Sequence, residues 1–173
     1  MRYWRFRNFQ TPQGMPFLDL LTADRVRTDL PAGDPQTLLD LIAGLLSSDP
    51  RQHEDIRNAL MDREALGSTG LGRGVAIPHG RLADLGKPRA AFARLAVPLE
   101  FRSMDGAPVD LVAALVVPAH FTNQHLQLLA EMAEVFSDAA LVARLRAAPD
   151  SSALRAELAE FARNRPKSEP WTD

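Results

Sequence analysis

The sequence GSTGLGRGVAIPHGRL occupies positions Gly67–Leu82, and the chemistry predicted for the chain is concentrated there. This segment holds five of the ten glycines. Pro78 fixes its own φ and disfavours helix at the residue before it, so Val75–Ile77 is predicted to be a short strand. Gly80 permits a sharp turn because it has no Cβ. The pattern therefore predicts an exposed His79 on a turn at a strand end, with its imidazole held in one orientation.

The composition is typical of one globular domain. The chain has 173 residues, of which 46% are apolar and 24% are charged. A net charge of −2 gives no general electrostatic case for nucleic acid or an anionic membrane as partner. The lack of cysteine excludes disulfides and thiolate metal sites. The sequence has neither an apolar run long enough to span a bilayer nor a signal-peptide pattern, so we expect a cytoplasmic protein without membrane insertion.

Helix start signals divide much of the chain into helical stretches. Asp34 and Asp49 each stand as an N-cap carboxylate before a proline at the first helical position. Asp138 and Asp150 are further candidates for N-caps. Together with apolar residues at helical spacing, these signals predict helices at 35–47, 50–66, 123–136, 138–147 and 150–162.

Three apolar runs are predicted to be strands. Val26–Leu30 alternates in part, and Val109–Val117 is apolar enough to be covered on both faces. Arg89–Val97 is expected to end at Pro98. Its buried face is predicted to comprise Ala91, Ala93, Leu95 and Val97. Strands mixed with pairs of helices predict an α/β (α+β) sandwich.

Several common site motifs are absent from the sequence. The spacing of Gly70, Gly72 and Gly74 differs from that of dinucleotide-binding folds, and no lysine–serine/threonine pair completes a P-loop. The histidines form no Glu-flanked pair for zinc, and Ser68 lies in no nucleophile elbow. We therefore predict a protein without a cofactor or a metal.

A longer, collinear pattern resembles one known family. The pattern covers about Phe17–Ala162, and its motifs lie at 67–80, 108–111, 117–118 and 124–126. It is similar to the enzyme IIA domains of the phosphotransferase system (PTS), in the mannitol, fructose and nitrogen-regulatory group. The resemblance implies the type 2 IIA fold, a mixed β-sheet flanked by helices, for a domain at 16–163.

The resemblance also implies a phosphohistidine site. It assigns the phosphoryl group to His79 and places His125 and Arg63 beside it, where they bind the phosphoryl oxygens. Position alone leaves alternatives open, because His125 also fits a capping or half-buried histidine. Arg63 also fits a cation that complements the C-terminal end of a helix. Further phosphoryl-binding donors are predicted at Ser68, Thr69 and Gly80.

Two functions follow from the resemblance, and in both the protein accepts phosphate from the histidine phosphocarrier. In the first, it is a nitrogen-regulatory IIA protein whose phosphorylation state controls the binding of target proteins. In the second, it is a fructose- or mannitol-specific IIA that passes phosphate to an enzyme IIB. The details of Gly67–Gly72 and Arg144–Ala148 favour the regulator.

The remaining histidines and the two ends of the chain carry weaker signals. His53 is predicted to be solvated, whereas His120 lies in a loop and is a candidate to line the site. Residues 1–15 are predicted to be a disordered leader, although their arginines and aromatics also fit an arm for RNA or a membrane surface. Residues 164–173 are predicted to be a flexible tail.

Overall fold

The computed structural model describes residues 16–164 of the protein. The predicted leader at 1–15 lies outside the described residues, as does the predicted tail at 164–173 apart from Asn164. Asn164 is the last residue of the final helix, so that helix runs two residues beyond its predicted end.

One mixed sheet organises the described part of the chain. Its strands are β1 Val26–Leu30, β2 Gly70–Gly72, β3 Val75–Ala76, β4 His79–Leu82, β5 Arg89–Leu99 and β6 Val109–Pro118. The strand order is β1-β5-β6-β3-β2, and β4 also pairs with β6. The β5–β6 and β2–β3 pairs are antiparallel, whereas β1 runs parallel to β5, and β3 and β4 run parallel to β6. The core strand β6 therefore supports both of the short strands around His79.

Helices cover both faces of this sheet. They are α1 Pro16–Asp19, α2 Pro35–Leu46, α3 Pro50–Ala65, α4 Asn123–Val135, α5 Ala139–Ala147 and α6 Ser151–Asn164. Apolar residues of α2 and α3 form one core cluster with the sheet, and those of α1, α4, α5 and α6 form the other. Nearly all of β6 is buried, as its apolar sequence predicts. The predicted mixed sheet flanked by helices is confirmed. Within residues 16–164, the helices are all too short or too polar to cross a membrane.

The four predicted N-caps are present. The Asp34 carboxylate accepts a hydrogen bond from the amide of Thr37 at 2.8 Å, and the Asp49 carboxylate accepts one from Gln52 at 2.9 Å. Asp138 and Asp150 cap α5 and α6 in the same way, each at 2.8 Å. Such a cap typically contributes about 1 kcal/mol to helix stability, so these carboxylates fix where each helix begins.

The strand around His79 differs from the prediction. The strand pairing breaks at Ile77–Pro78 and resumes at His79. Strands β3 and β4 therefore pair one after the other with β6, both in the parallel direction. Pro78 has no N–H for a ladder hydrogen bond, which explains why the break precedes the histidine. The predicted turn at Gly80 is therefore wrong, because Gly80 lies inside β4.

Strand β5 also differs from the prediction at its end. It continues through Pro98 to Leu99, and Val97 is exposed and lies outside the buried face assigned to it. The pairing register with β6 shifts between Arg94 and Leu99. A bulge of this kind disrupts the alternation of buried and exposed side chains, so the simple two-residue period fails there.

Candidate functional site

His79 is the first residue of β4, and its side chain is buried rather than exposed as predicted. Only 7% of the residue remains accessible to solvent. The imidazole Nδ1 lies 2.8 Å from the carbonyl oxygen of Ile77. The Nε2 atom lies 3.1 Å from the guanidinium Nε of Arg63, near the end of α3. Both ring nitrogens are therefore held, which fixes the orientation of the ring.

These two contacts define the protonation of His79. A carbonyl oxygen only accepts and an arginine N–H only donates, so the ring proton is on Nδ1 and the Nε2 lone pair faces Arg63. Burial lowers the pKa of His79 below its ordinary value of 6.5. The Ile77 carbonyl opposes this shift, and the charges of Arg63 and Arg81 add to it. His79 is thus a neutral imidazole at neutral pH, and its basic nitrogen is Nε2.

Arg63 joins the end of α3 to this imidazole. Its Nη1 donates to the carbonyl oxygen of Gly67 at 3.0 Å, while its Nε donates to His79. Gly67 has a φ of 152°, which an L-residue rarely adopts. The guanidinium is thereby tied to the turn that follows α3 and held against the histidine. This is the position that the functional interpretation of Arg63 requires.

His125 lies in the first turn of α4 and faces His79. The two ring centroids are 5.3 Å apart, and the rings meet edge to face at 67°. The Nε of Arg81 donates to the Nδ1 of His125 at 3.0 Å. The Nε2 of His125 is buried and has no hydrogen-bond partner among the described residues. We call His79 and His125 the histidine pair.

The pKa of His125 is also lowered from its ordinary value of 6.5, to about 4. Burial is the main cause, followed by the charges on His79, Arg81 and Arg63. His125 is therefore neutral, and because Arg81 donates to Nδ1, its single ring proton is on Nε2. That N–H is a buried donor without an acceptor, which is a costly arrangement unless a ligand completes it.

Sequence reasoning missed Arg81. In a strand, residues two apart point to the same side, so a strand through His79 places Arg81 beside it. The predicted turn at Gly80 removed this signal, because a turn after the histidine directs the next side chain elsewhere. The contact between Arg81 and His125 spans 44 positions of sequence, so only the tertiary structure reveals it.

The hydroxyls of Ser68 and Thr69 are engaged away from the histidine pair. Ser68 donates to the carbonyl oxygen of Phe101 at 2.6 Å, and Thr69 donates to the carboxylate of Glu64 at 2.6 Å. Their hydroxyl protons are therefore not available to a phosphoryl group in this arrangement, and both residues tie the loop after α3 to its surroundings. A role for these hydroxyls as phosphoryl donors stays a prediction, and it would require both to leave these partners.

Backbone amides of the glycine-rich segment are also used structurally. The amides of Thr69, Gly70 and Arg73 donate to the side chains of Glu64, Ser68 and Asp105, respectively. Positive φ values at Gly72, Arg73 and Gly74 form the tight connection between β2 and β3. These glycines serve a hairpin, whereas the side chain of Arg63, which contacts the basic nitrogen of His79, comes from α3.

Gly80 is required for close packing rather than for a turn. A Cβ at this position would lie 3.0 Å from the Cβ of Ala59 and 3.2 Å from its backbone carbonyl carbon. Strand β4 therefore approaches α3 at a distance that only glycine allows. The contribution of Gly80 to the site is to bring His79 within reach of Arg63 on that helix.

The other two histidines lie apart from this arrangement. His120 is exposed and contacts the ring of Phe121 at a centroid distance of 5.0 Å. The Nε2 of His53 lies 3.1 Å from the carboxylate of Asp40. Neither residue hydrogen-bonds to the histidine pair. The part of the chain that the structure describes also contains no cluster of three or more acidic or histidine side chains that would hold a metal ion.

Chemically, this arrangement is a nucleophile beside donors. The lone pair of His79 Nε2 accepts the Nε–H of Arg63 in this arrangement, and it is the atom that can form a new bond once that donor moves. Arg63 and Arg81 provide positive charge around the histidine pair. The unpartnered N–H of His125 is the kind of group that stabilises an anion. The site is therefore suited to receive an electrophile that carries negative charge.

Comparisons with known proteins show the family to which the chain belongs. The model of the family described as "Phosphoenolpyruvate-dependent sugar phosphotransferase system, EIIA 2" matches residues 19–161. A nitrogen regulatory protein of Pseudomonas aeruginosa is 40% identical over 137 residues, which cover 78% of this chain and 89% of the relative.

Two solved structures share the fold. The nitrogen regulatory protein IIA-Ntr from Neisseria meningitidis superposes with a TM-score of 0.76 at 35% identity, over 83% of this chain and 99% of the other. The mannitol IIA from Escherichia coli superposes with a TM-score of 0.66 at 20% identity, over 80% and 98% of the two chains. The chain therefore belongs to the type 2 enzyme IIA family of the phosphoenolpyruvate-dependent sugar phosphotransferase system.

Proposed function

We propose that the protein is a cytoplasmic phosphohistidine carrier that accepts a phosphoryl group on His79 Nε2 from the histidine phosphocarrier. The observation that supports this most strongly is the pair of hydrogen bonds that keep His79 neutral with its lone pair on Nε2. A neutral imidazole is nucleophilic without a separate base, so the site has only to position the incoming group and stabilise its charge.

In the transfer step, the bond between phosphorus and the histidine of the phosphocarrier breaks while a bond from phosphorus to His79 Nε2 forms. The electron pair of the broken bond returns to the donor imidazole. No proton has to leave His79, because its Nδ1 keeps its hydrogen and continues to donate it to the carbonyl oxygen of Ile77. That carbonyl dipole also stabilises the positive charge that the phosphorylated ring acquires.

Two neighbours of the ring stabilise the transferred group. The Nε–H of Arg63 occupies the Nε2 lone pair in the free protein and moves to a phosphoryl oxygen as the new bond forms. The buried Nε2–H of His125 supplies a second donor. Phosphoryl transfer is catalysed mainly by positioning and charge stabilisation of this kind, so no metal is needed in the proposal.

The regulatory version of this function is favoured by the relatives. The proteins at 40% and 35% identity are both described as nitrogen regulatory proteins. Exposed apolar side chains are also close to the site residues in sequence. Leu66 follows the last turn of α3 and is 86% exposed, and Leu126 follows His125 and is 60% exposed. Leu71, in β2, is 43% exposed. We call these three exposed leucines the apolar rim, and we expect a target protein to dock on them when the site is uncharged.

A labelling experiment tests the carrier function. Purified protein is incubated with labelled phosphoenolpyruvate, enzyme I and the phosphocarrier. We expect acid-labile label on wild type and on the control His120→Gln, and none on His79→Gln, whose amide can still donate to the Ile77 carbonyl. Arg63→Met and His125→Gln should label about 100-fold to 1,000-fold more slowly, because each removes a donor to the phosphoryl group. Full labelling of His79→Gln would contradict the assignment.

A second experiment separates the regulator from a sugar carrier. The phosphorylated site carries about two additional negative charges, which must be desolvated when a target docks on the apolar rim. A target captured by the unphosphorylated protein should therefore bind the phosphorylated form at least about ten-fold more weakly, equivalent to 1.4 kcal/mol. Equal binding of both forms, with rapid transfer of the label to a sugar-specific enzyme IIB, would instead establish the sugar carrier.

A further inference from the structure

Among residues 16–164, the side chain of Arg81 hydrogen-bonds to the second histidine alone. Its Nε lies 3.0 Å from the Nδ1 of His125, although the two residues are 44 positions apart. Within residues 16–164, no carboxylate forms an ion pair with Arg81. The charge of the guanidinium is therefore not neutralised by an acidic partner among these residues, and it acts on both rings of the histidine pair.

This contact determines which nitrogen of His125 carries the proton. A guanidinium has five N–H donors and no acceptor, so the Nδ1 of His125 has to be the acceptor. In a neutral imidazole the proton is then on Nε2. A residue that fixes the tautomer of a functional histidine through its other nitrogen is a common way to orient the group that reacts.

The proton placed on Nε2 has no acceptor in the part of the chain that the structure describes. Nε2 is buried and has no partner among the described residues, while the His79 ring lies 5.3 Å away between centroids. With the opposite tautomer, Nε2 would present a lone pair to an arriving phosphoryl group and repel it. The choice of tautomer therefore decides whether His125 attracts or opposes the anion.

Strand β4 explains how one short segment controls both rings. His79 and Arg81 are two residues apart in β4 and point to the same side, towards α4, which carries His125. Gly80 lies between them and packs against Ala59 of α3. Strand β4 thus carries both the nucleophile His79 and, two residues later, Arg81, which orients His125.

We propose that Arg81 is a positioning residue for phosphoryl transfer, which holds His125 in the Nε2–H tautomer so that this N–H meets the phosphoryl oxygens on His79. This assignment rests on the proposed function for its catalytic consequence. The claim that Arg81 sets the tautomer of His125 concerns the unphosphorylated protein, and it can be tested whether or not His79 accepts phosphate. Arg81 acts through His125, and the strength of its effect on transfer depends on that histidine being present.

The test combines nitrogen NMR with a double-mutant cycle. In nitrogen-labelled wild type, the His125 ring should show a protonated Nε2 and an unprotonated Nδ1. In Arg81→Met, which keeps an unbranched chain out to the position of the arginine Nε but has no donor, a population with protonated Nδ1 should appear. Phosphoryl transfer to His79 should slow by about 10-fold to 100-fold, the range found when outer partners of metal-bound histidines are removed.

The control variant is Arg155→Met, which removes an exposed positive charge on α6 and should leave both readouts unchanged. In a His125→Gln background, Arg81→Met should cause little further loss of rate, because its effect passes through His125. Full additivity of the two losses, or a His125 ring that keeps its proton on Nε2 in Arg81→Met, would overturn the proposal. If His79 accepts no phosphate at all, the proposed function fails, while the NMR measurement still decides the role of Arg81 in setting the tautomer.

Discussion

At His79, the carbonyl of Ile77 and the guanidinium of Arg63 act on opposite sides of one ring. The carbonyl keeps a proton on Nδ1, and the guanidinium disfavours a second proton on Nε2 by its positive charge. Burial adds to this effect and keeps the pKa of His79 low. The same residues that orient the ring therefore also keep it in the neutral, nucleophilic state.

The histidine pair should make stability depend on pH. The pKa of His125 is lowered to about 4, and that of His79 is also lowered, whereas both return towards 6.5 on unfolding. Between pH 6.5 and pH 4 the unfolded chain therefore binds more protons than the folded protein. The free energy of unfolding is highest, as far as these two residues are concerned, above pH 6.5, and it decreases as the pH falls towards 4. Each proton taken up on unfolding contributes a slope of at most about 1.4 kcal/mol per pH unit.

Urea unfolding at several values between pH 7 and pH 4.5 measures this slope. We expect the free energy of unfolding to fall less steeply with decreasing pH in His125→Gln than in wild type. His120→Gln, which changes an exposed histidine, should retain the wild-type slope. Identical slopes for wild type and His125→Gln would mean that the folded and unfolded states protonate His125 alike.

At the scale of elements, the site depends on close approach between β4 and α3. Arg63 reaches His79 from the last turn of α3, and Gly80 allows the strand to pack directly on Ala59. On the other side, Arg146 of α5 donates to both carboxylate oxygens of Asp110, each at 2.7 Å, which ties α5 to the start of β6. The pairing of strand and helix is therefore as important to the site as its side chains.

Gly80→Ala should separate β4 from α3. The added Cβ would lie 3.0 Å from the Cβ of Ala59 and 3.2 Å from its backbone, and a helix backbone cannot easily move. Overpacking of this kind costs about 1–3 kcal/mol, and the shift of His79 away from Arg63 should also slow phosphoryl transfer. Urea unfolding and the labelling rate measure the two effects.

Two further variants make this test specific. Gly86→Ala adds a Cβ in open space and should be neutral. Adding Ala59→Gly to Gly80→Ala should recover part of the transfer rate, although glycine within a helix itself costs about 1 kcal/mol. A Gly80→Ala protein with wild-type stability and transfer rate would show that the approach of the two elements is not limiting.

The elements themselves were largely predictable from sequence, whereas their meeting points were not. Asp34 and Asp49 mark helix starts by local chemistry, and the apolar run of β6 marks a covered strand. The burial of His79 was missed because Pro78 and Gly80 each favour a turn locally, and only pairing with β6 continues the strand. Arg81 was missed for the same reason. Local rules identify which side chains are present, and long-range pairing decides which of them meet.

At the scale of the whole molecule, the site lies where the two layers of helices meet the sheet. Arg63 comes from α3 in one layer and His125 comes from α4 in the other, while β4 holds His79 between them. The site therefore forms only when both layers are packed. If the proposed function holds, phosphorylation adds charge at this junction of strand and helices, where it can change the binding of a partner.

The most direct test of the account is to determine which nitrogen carries phosphorus. Nitrogen-labelled protein is phosphorylated by enzyme I and the phosphocarrier, and the phosphorus–nitrogen coupling is measured by NMR. We expect phosphorus on Nε2 of His79, with the Nδ1 of that ring still protonated because it donates to the carbonyl of Ile77. Phosphorus on Nδ1 of His79, or on either nitrogen of His125, would contradict it.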